Sequence, residues 1–390
     1  MRRWIAAVSA AAVVAALILG GGLFVQKAQA KAAEASGITA EDPQEALGGP
    51  ETAVPGDELH MMDDSNLGAS HLRIVLFTSP KASDDHAVNE SVRSGLAEFM
   101  ESDKTVTLDE LVEKTGDPEA CLELVKRYAA SYDVAVVCGE AFSGICEIAR
   151  DLKDVRFILF DIAPVYKDGS IAALDNVTSF TYRNEECGFL AGAAAALETK
   201  SGKVAAVSTK GSTIGDNAAL GFICGVNYAN KHLGTSAQVL QPQNAENGID
   251  VKEAIAGGCD IVYAAVPECA AEVLEAVKAA QGVRVIGSYT DQFPYGKRDK
   301  DNVVITSVYR TQNLDVIGEL ISIAFDSALG ENKVQGADDF SINYYFDEDR
   351  SSLSPKSQIE MEKVFELLMT GAIEPASKTN GMTQEQFKGL

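Results

Sequence analysis

Positive charge is scarce in this sequence. Its 390 residues include 33 Lys and Arg against 57 Asp and Glu, which gives a net charge of -24. This balance argues against binding to DNA or RNA, whose phosphates require patches of Lys and Arg. It also disfavours adhesion to anionic lipid head groups. We therefore expect an acidic, soluble surface and no nucleic-acid partner.

Metal-binding and catalytic motifs are lacking as well. The chain has four histidines, and none of its seven cysteines forms a CxxC pair, so we expect no metal and no cofactor. Neither GxxxxGK[ST] nor a GxGxxG after a strand occurs, which argues against nucleotide hydrolysis and dinucleotide binding. No Ser-His-Asp arrangement can be identified, and His86 stands alone. The sequence therefore predicts that the protein is not an enzyme.

The N-terminal region differs in composition from the rest. An apolar run from Trp4 to Val25 follows two arginines and is long enough to cross a bilayer. Residues 1–30 are therefore either a membrane anchor, which we favour, or a signal peptide cleaved after Ala28-Gln-Ala30. Residues 31–70 are acidic and poor in aromatic and β-branched residues, and this composition predicts a disordered linker.

From residue 71 onward, strand-like and helix-like segments alternate about five times in each half. This pattern predicts an α/β fold with two doubly wound lobes. We assign residues 71–182 to lobe 1, residues 183–306 to lobe 2, and residues 307–390 to a return to lobe 1 and a C-terminal helix and tail. Crossings near Tyr182 and Ser307 would form a hinge. A helix is expected at 108–114, and most cysteines are expected to be small buried hydrophobic residues.

The most informative stretch runs from Tyr182 to Lys200. It follows a predicted strand, and Asn184 is a suitable N-cap for a helix whose first turn carries Glu185 and Glu186. The small side chains of the helix, from Gly188 onward, predict close packing against a sheet or another helix. Strand, polar turn and helix form half of a βαβ unit, where open α/β sheets bind ligands.

This stretch resembles the signature of the basic membrane protein family, the purine-nucleoside-receptor-like solute-binding proteins of ABC transporters. The resemblance implies a type I periplasmic-binding-protein fold, in which two Rossmann-like lobes are joined by a hinge. It also implies an extracytoplasmic protein at the cell membrane that captures a small, nucleoside-like solute in an interlobe cleft for a permease. The residues that carry the resemblance are Tyr182, Glu186, Phe189, Leu190, Ala191 and Gly192.

The resemblance also implies a set of ligand-binding positions. Two of them end predicted strands: Asp161, which could instead cap a loop, and Arg310, which could instead be solvent-exposed. Asp85 and Asn89, which could instead cap a helix, fall where the family holds the base of the ligand, and an aromatic ring is expected to stack on the ligand. The expected ligand-binding residues are Asp85, Asn89, Phe142, Asp161, Tyr182, Tyr289, Asp291 and Arg310.

Three positions depart from the family pattern. Val88 replaces an aromatic residue, Tyr289 replaces an acid that holds sugar hydroxyls, and the turn after Ala265 lacks glycine. These changes fall on the expected pocket. They favour an alternative function, in which the chain is a membrane-tethered sensor or regulator with altered ligand specificity.

Overall fold

The computed structural model describes residues 70–79, 88–208, 212–240, 249–265 and 270–388. The expected membrane anchor or signal peptide, nearly all of the expected linker, and Asp85 lie outside these ranges. Within them, no helix combines the length and the apolar character needed to cross a bilayer.

Strands and helices alternate along the chain, as the sequence predicts. The strands are β1 (Arg73–Thr78), β2 (Thr107–Val112), β3 (Val134–Cys138), β4 (Arg156–Phe160), β5 (Val177–Tyr182), β6 (Lys203–Val207), β7 (Gln238–Val239), β8 (Ile261–Ala264), β9 (Arg284–Tyr289), β10 (Lys297–Arg298), β11 (Asp301–Asn302), β12 (Val304–Arg310), β13 (Asn332–Gln335) and β14 (Ile342–Tyr344). The helices are α1 (Val88–Ser102), α2 (Pro118–Tyr128), α3 (Cys146–Ala149), α4 (Asn184–Glu198), α5 (Thr213–His232), α6 (Val251–Ala256), α7 (Ala270–Ala279), α8 (Gln312–Ala324), α9 (Pro355–Met369) and α10 (Gln384–Lys388).

Two six-stranded sheets organise these elements. The first sheet has the order β13-β5-β4-β3-β1-β2 and is parallel throughout. The second has the order β14-β12-β9-β8-β6-β7 and is parallel except for β14, which runs antiparallel to β12. Their central strands are near-continuous buried apolar runs because helices cover both faces of such sheets. We call each sheet with its helices a lobe.

The chain passes between the lobes at three places. It leaves the first sheet after Tyr182, leaves the second after Arg310, and returns to the second between Gln335 and Ile342. The sequence predicts crossings near Tyr182 and Ser307 only. It does not predict the third crossing, because β14 is three residues long and pairs with β12 through its backbone, and the side chains of β14 carry no signal for that pairing. Residues after 307 therefore contribute to both lobes.

Helices α4 and α5 pack with their backbones in contact. A Cβ atom at Gly188 would overlap the carbonyl oxygen of Ala218, and one at Gly221 would overlap the carbonyl oxygen of Glu185. Gly192 and Gly225 make equivalent close approaches. The close packing predicted from the small residues of 182–200 is thus present, and its partner is another helix.

Two local predictions are wrong. Residues 108–114 were expected to be helical, but most of them form β2, an edge strand whose exposed polar residues mask its extended pattern. Asn184 is not an N-cap, because α4 begins at that residue and its amide nitrogen donates to the carbonyl of Tyr182 at 3.0 Å. The prediction for the cysteines is confirmed for Cys121, Cys138, Cys146, Cys187, Cys224 and Cys259, which are buried, while Cys269 lies outside the described residues.

Candidate functional site

Four side chains at the carboxyl ends of strands meet between the two sheets. Asp161 directly follows β4 and Tyr182 ends β5, both in the first sheet. Tyr289 ends β9 and Arg310 ends β12, both in the second sheet. Ligands of open α/β sheets bind outside these strand ends. The site therefore lies where the fold favours a ligand.

The centre of the site is an ion pair between the lobes. Nη1 of Arg310 donates to Oδ1 of Asp161 at 3.0 Å, and Nη2 donates to Oδ2 at 2.7 Å. Both side chains are withdrawn from solvent, with exposed fractions of 0% and 2%. Burial alone would lower the pKa of Arg310, but the carboxylate of Asp161 raises it above its usual value. The guanidinium is therefore charged at every accessible pH.

Two amide oxygens bind the remaining N–H groups of Arg310. Nη1 also donates to Oδ1 of Asn184 at 2.8 Å. With the Gln312 amide oriented to satisfy both of its ends, its oxygen accepts from Nε at 2.8 Å and from Nη2 at 2.9 Å. A guanidinium has five N–H groups, and all five now have acceptors.

The guanidinium lies close to two aromatic rings. Its central carbon is 4.5 Å from the ring centroid of Tyr182 and 4.3 Å from that of Tyr289. Cations at this distance are attracted to the negative face of the ring, and the attraction is stronger away from water. The hydroxyl of Tyr289 donates to the carbonyl of Ala265 at 3.0 Å, which fixes the position of that ring.

Two residues of the site have a left-handed backbone. Asp161 has φ of 59° and Tyr289 has φ of 71°. An aromatic residue rarely adopts this conformation, which costs on the order of 1 kcal/mol or more and persists only where the surroundings fix it. Both residues contact Arg310, so the strain lies at the candidate site.

A second carboxylate, that of Asp315, binds the hydroxyl of Tyr182 in the site. Asp315 of α8 accepts a hydrogen bond from the hydroxyl of Tyr182 at 2.5 Å and another from the amide of Gln335 at 2.9 Å. Burial raises the pKa of Asp315 to about 6, although these hydrogen bonds oppose the shift. Asp315 thus links all three segments that pass between the lobes.

Glu186, in the first turn of α4, also binds donors of the segments that cross between the lobes. Its carboxylate accepts from Nε of Arg183 at 2.6 Å and from the amide of Ala337 at 2.7 Å. Burial raises the pKa of Glu186 to about 7 despite these donors. Carboxylates with raised pKa values therefore lie among the crossing segments.

Two further contacts join the lobes away from the centre. Glu140, which follows β3, accepts from the hydroxyl of Ser212 at 2.9 Å and from the amide of Thr213 at 3.2 Å, where α5 begins. Glu90 of α1 accepts from the hydroxyl of Tyr295 at 2.5 Å. As at Asp161, a carboxylate of the first lobe binds donors of the second.

The other predicted site residues are not brought together with Arg310. Phe142 is fully buried in the core of the first lobe, beside apolar residues of β1 and β3. Asn89 lies partly buried in the first turn of α1. Asp291 is half-buried, with an oxygen 3.8 Å from Nε of Arg350. Burial raises the pKa of Asp291. Asp85 lies outside the described residues.

Sequence reasoning missed several residues of the site. Asn184 was interpreted only as a helix cap, and nothing in the sequence distinguishes Gln312 from an ordinary first residue of a helix. Glu140 and Asp315 gave no signal because their partners are distant in the chain. The polar character of the 182–186 turn was the one available indication. In the described ranges, no cluster of three His, Cys, Asp or Glu could hold a metal ion.

Comparison with known proteins identifies a family. The family model described as "ABC transporter substrate-binding protein PnrA-like" matches residues 73–340. Basic membrane protein A2 of Borrelia garinii subsp. bavariensis is 27% identical over 258 residues, which cover 65% of this chain and 72% of the relative. Basic membrane protein A of Borreliella burgdorferi is 30% identical over 159 residues, or 40% of this chain and 44% of the relative.

Solved structures support the fold. A solute-binding protein of an ABC transporter system from Aeropyrum pernix K1 aligns with a TM-score of 0.65 at 15% identity, covering 82% of this chain and 96% of that structure. A transcriptional activator of the comK gene from Bacillus halodurans aligns with a TM-score of 0.57 at 18% identity, covering 78% and 100%. At these identities the likeness concerns the fold alone. It confirms the predicted type I periplasmic-binding-protein architecture with two Rossmann-like lobes.

Proposed function

Because the chain belongs to the PnrA-like family of ABC transporter substrate-binding proteins, we propose that it captures a flat, nucleoside-like solute between its two lobes. Membership of this family makes the protein a solute-binding protein and not an enzyme. Its solute would be bound outside the membrane and delivered to an ABC permease. Residues 1–30 would hold the protein at the membrane surface.

The convergence of Asp161, Tyr182 and Tyr289 is the observation that carries this proposal. The site offers a buried carboxylate and two aromatic rings that already contact one planar group. A nucleobase is planar, and guanine carries two adjacent N–H groups, at N1 and N2, on one edge. Such an edge could bind the Asp161 carboxylate as a guanidinium does, while the ring stacks on the tyrosines.

A second candidate function is a membrane-tethered sensor or regulator. It is favoured by the complete pairing of Arg310, because the five N–H groups of that side chain already have acceptors within the protein. A relative named "Transcriptional activator protein med", from Bacillus subtilis, is 26% identical over 181 residues, which cover 46% of this chain and 51% of the relative. Regulation by a protein of this fold is therefore a reasonable alternative.

A thermal-shift screen of the full chain against nucleosides, nucleobases and small organic acids separates these functions. A ligand that binds only the folded protein adds about 2.7 kcal/mol at a hundredfold excess over its dissociation constant, which raises the melting temperature by several degrees. We expect a purine nucleoside to give this shift. The shift should disappear in Asp161→Asn and persist in Asp154→Asn, a matched change at an exposed position.

Other outcomes would contradict the proposal. A shift with organic acids alone would mean that the solute is an anion and not a nucleoside. The absence of a shift with every compound would favour the sensor or regulator.

A further inference from the structure

The site between the lobes has a defined chemistry of its own. We use the term guanidinium cage for a set of five groups. They are the Asp161 carboxylate, the amide oxygens of Asn184 and Gln312, and the rings of Tyr182 and Tyr289. Every polar atom of this set that faces the centre is an acceptor, and the ring centroids of both tyrosines lie within 4.5 Å of the guanidinium carbon. Hydrogen-bond acceptors together with two π systems suit one class of group, a planar cation with several N–H donors.

The cage is filled by the chain itself. The guanidinium of Arg310 lies close to both tyrosine rings, and its side chain is completely buried. A solute that used the same carboxylate and the same rings would overlap it. We propose that Arg310 is an internal ligand of the cage, so that the two lobes close on this side chain without any solute.

The residues that form and fill the cage come from both sheets. Asp161 and Tyr182 belong to the first sheet, whereas Tyr289 and Arg310 belong to the second. Occupation of the cage by Arg310 therefore holds the lobes together, as a bound solute would in a hinge-type binding protein. The contacts of Glu140 with Ser212 and of Glu90 with Tyr295 add to this closure.

Displacement of Arg310 is then a condition for solute entry. The inference rests on the proposed function in one respect, namely that a solute competes for the same cage. A protein that closes on an internal ligand binds its solute more weakly than its contacts imply, because only the fraction of molecules with an empty cage is competent. Arg310 thereby sets the specificity of the site, since a solute must replace its donors as well as its stacking.

Replacement of the side chain by a free ion tests the cage directly. Arg310→Ala removes the internal ligand and leaves a space for guanidinium. At 20 mM guanidinium chloride, roughly a hundredth of a denaturing dose, we expect its melting temperature to rise by about 3 °C or more in a saturable manner. Urea, which has the same shape but no charge, and sodium chloride at equal ionic strength should give no rise. Wild type and Arg127→Ala, an exposed control, should not respond to guanidinium.

The results distinguish this inference from the proposed function. Equal responses of Arg310→Ala to guanidinium and urea would overturn the cage, even if nucleosides bind the wild type. Selective rescue by guanidinium would establish the cage, even if no nucleoside binds.

A second variant covers the case in which Arg310→Ala does not fold. Asp161→Asn with Arg310→Gln replaces both charged groups by neutral amides. If the ion pair holds the lobes together, the amide of Thr213, which donates to Glu140 of the other lobe, should exchange with deuterium at least about tenfold faster than in wild type. Unchanged exchange would overturn the inference.

Discussion

The carboxylate of Asp161 and the guanidinium of Arg310 form a two-point ion pair that joins the two sheets across 149 residues of sequence. The pair lies at the carboxyl ends of the strands, where open α/β sheets bind ligands. In this chain the guanidinium of Arg310 fills that position and contacts both lobes, from which we infer that the protein closes without a solute.

Asp161→Asn should destabilise the protein strongly. The change leaves the buried Arg310 charge without its counter-ion, and the loss of one partner from a buried pair costs about 3–5 kcal/mol. Chemical denaturation should show this loss in the free energy of unfolding. Glu123→Gln, which removes a partner from the exposed pair with Lys126, should have little effect. Similar losses in the two variants would contradict the account of the site.

Gly188→Ala should destabilise the protein by about 1–3 kcal/mol, because the new methyl group overlaps the backbone of α5. Gly318→Ala is the matched control, since it lies within α8 with open space around its Cβ position. There, alanine should be neutral or stabilise by up to about 1 kcal/mol through its helix propensity. Thermal unfolding of both variants measures the difference. Equal stability would mean that α4 and α5 are not in backbone contact.

Stability should fall as the pH rises from 5 to 8. Burial raises the pKa of Glu186 to about 7 and that of Asp315 to about 6. The unfolded chain releases these protons near pH 4, whereas the folded protein retains them to higher pH. The stabilising contribution is therefore complete below about pH 4 and is lost as the pH rises through 6 and 7, by on the order of 2 kcal/mol for Glu186.

The slope of melting temperature against pH measures this effect. Glu186→Gln should flatten the slope between pH 5 and 8, whatever its effect on stability at one pH. Glu98→Gln, at an exposed position in the middle of α1, should leave the slope unchanged. An unaltered slope in Glu186→Gln would show that the group does not titrate in this range.

The sequence predicts the fold well because the signals for it are local. Buried strands such as β3 and β4 are continuous apolar runs, and the small residues of α4 indicate its close packing. Strand β2 was missed because an exposed edge strand carries polar residues in no clear alternation. The antiparallel pairing of β14 with β12 could not be predicted, because the pairing is made through the backbone and the side chains of β14 carry no signal for it.

The candidate site was predictable only in part. The resemblance to the family selected both Asp161 and Arg310, and the position of the Asp161 carboxylate at the end of a buried strand supported the first choice. It did not indicate that the two side chains would bind each other, because their pairing depends on the relative orientation of the two sheets. The same limit applies to Asn184 and Gln312, which become part of the site only through the orientation of Arg310.

The most direct test of the account is the distance between the lobes in the absence of solute. Spin labels attached by non-cysteine chemistry at the exposed positions Glu119 of α2 and Glu272 of α7 report this distance. We predict one narrow distribution for the solute-free wild type and a longer, broader one for Asp161→Asn. A broad distribution in the wild type that becomes narrow only on addition of solute would contradict the claim that the Asp161–Arg310 pair closes the protein.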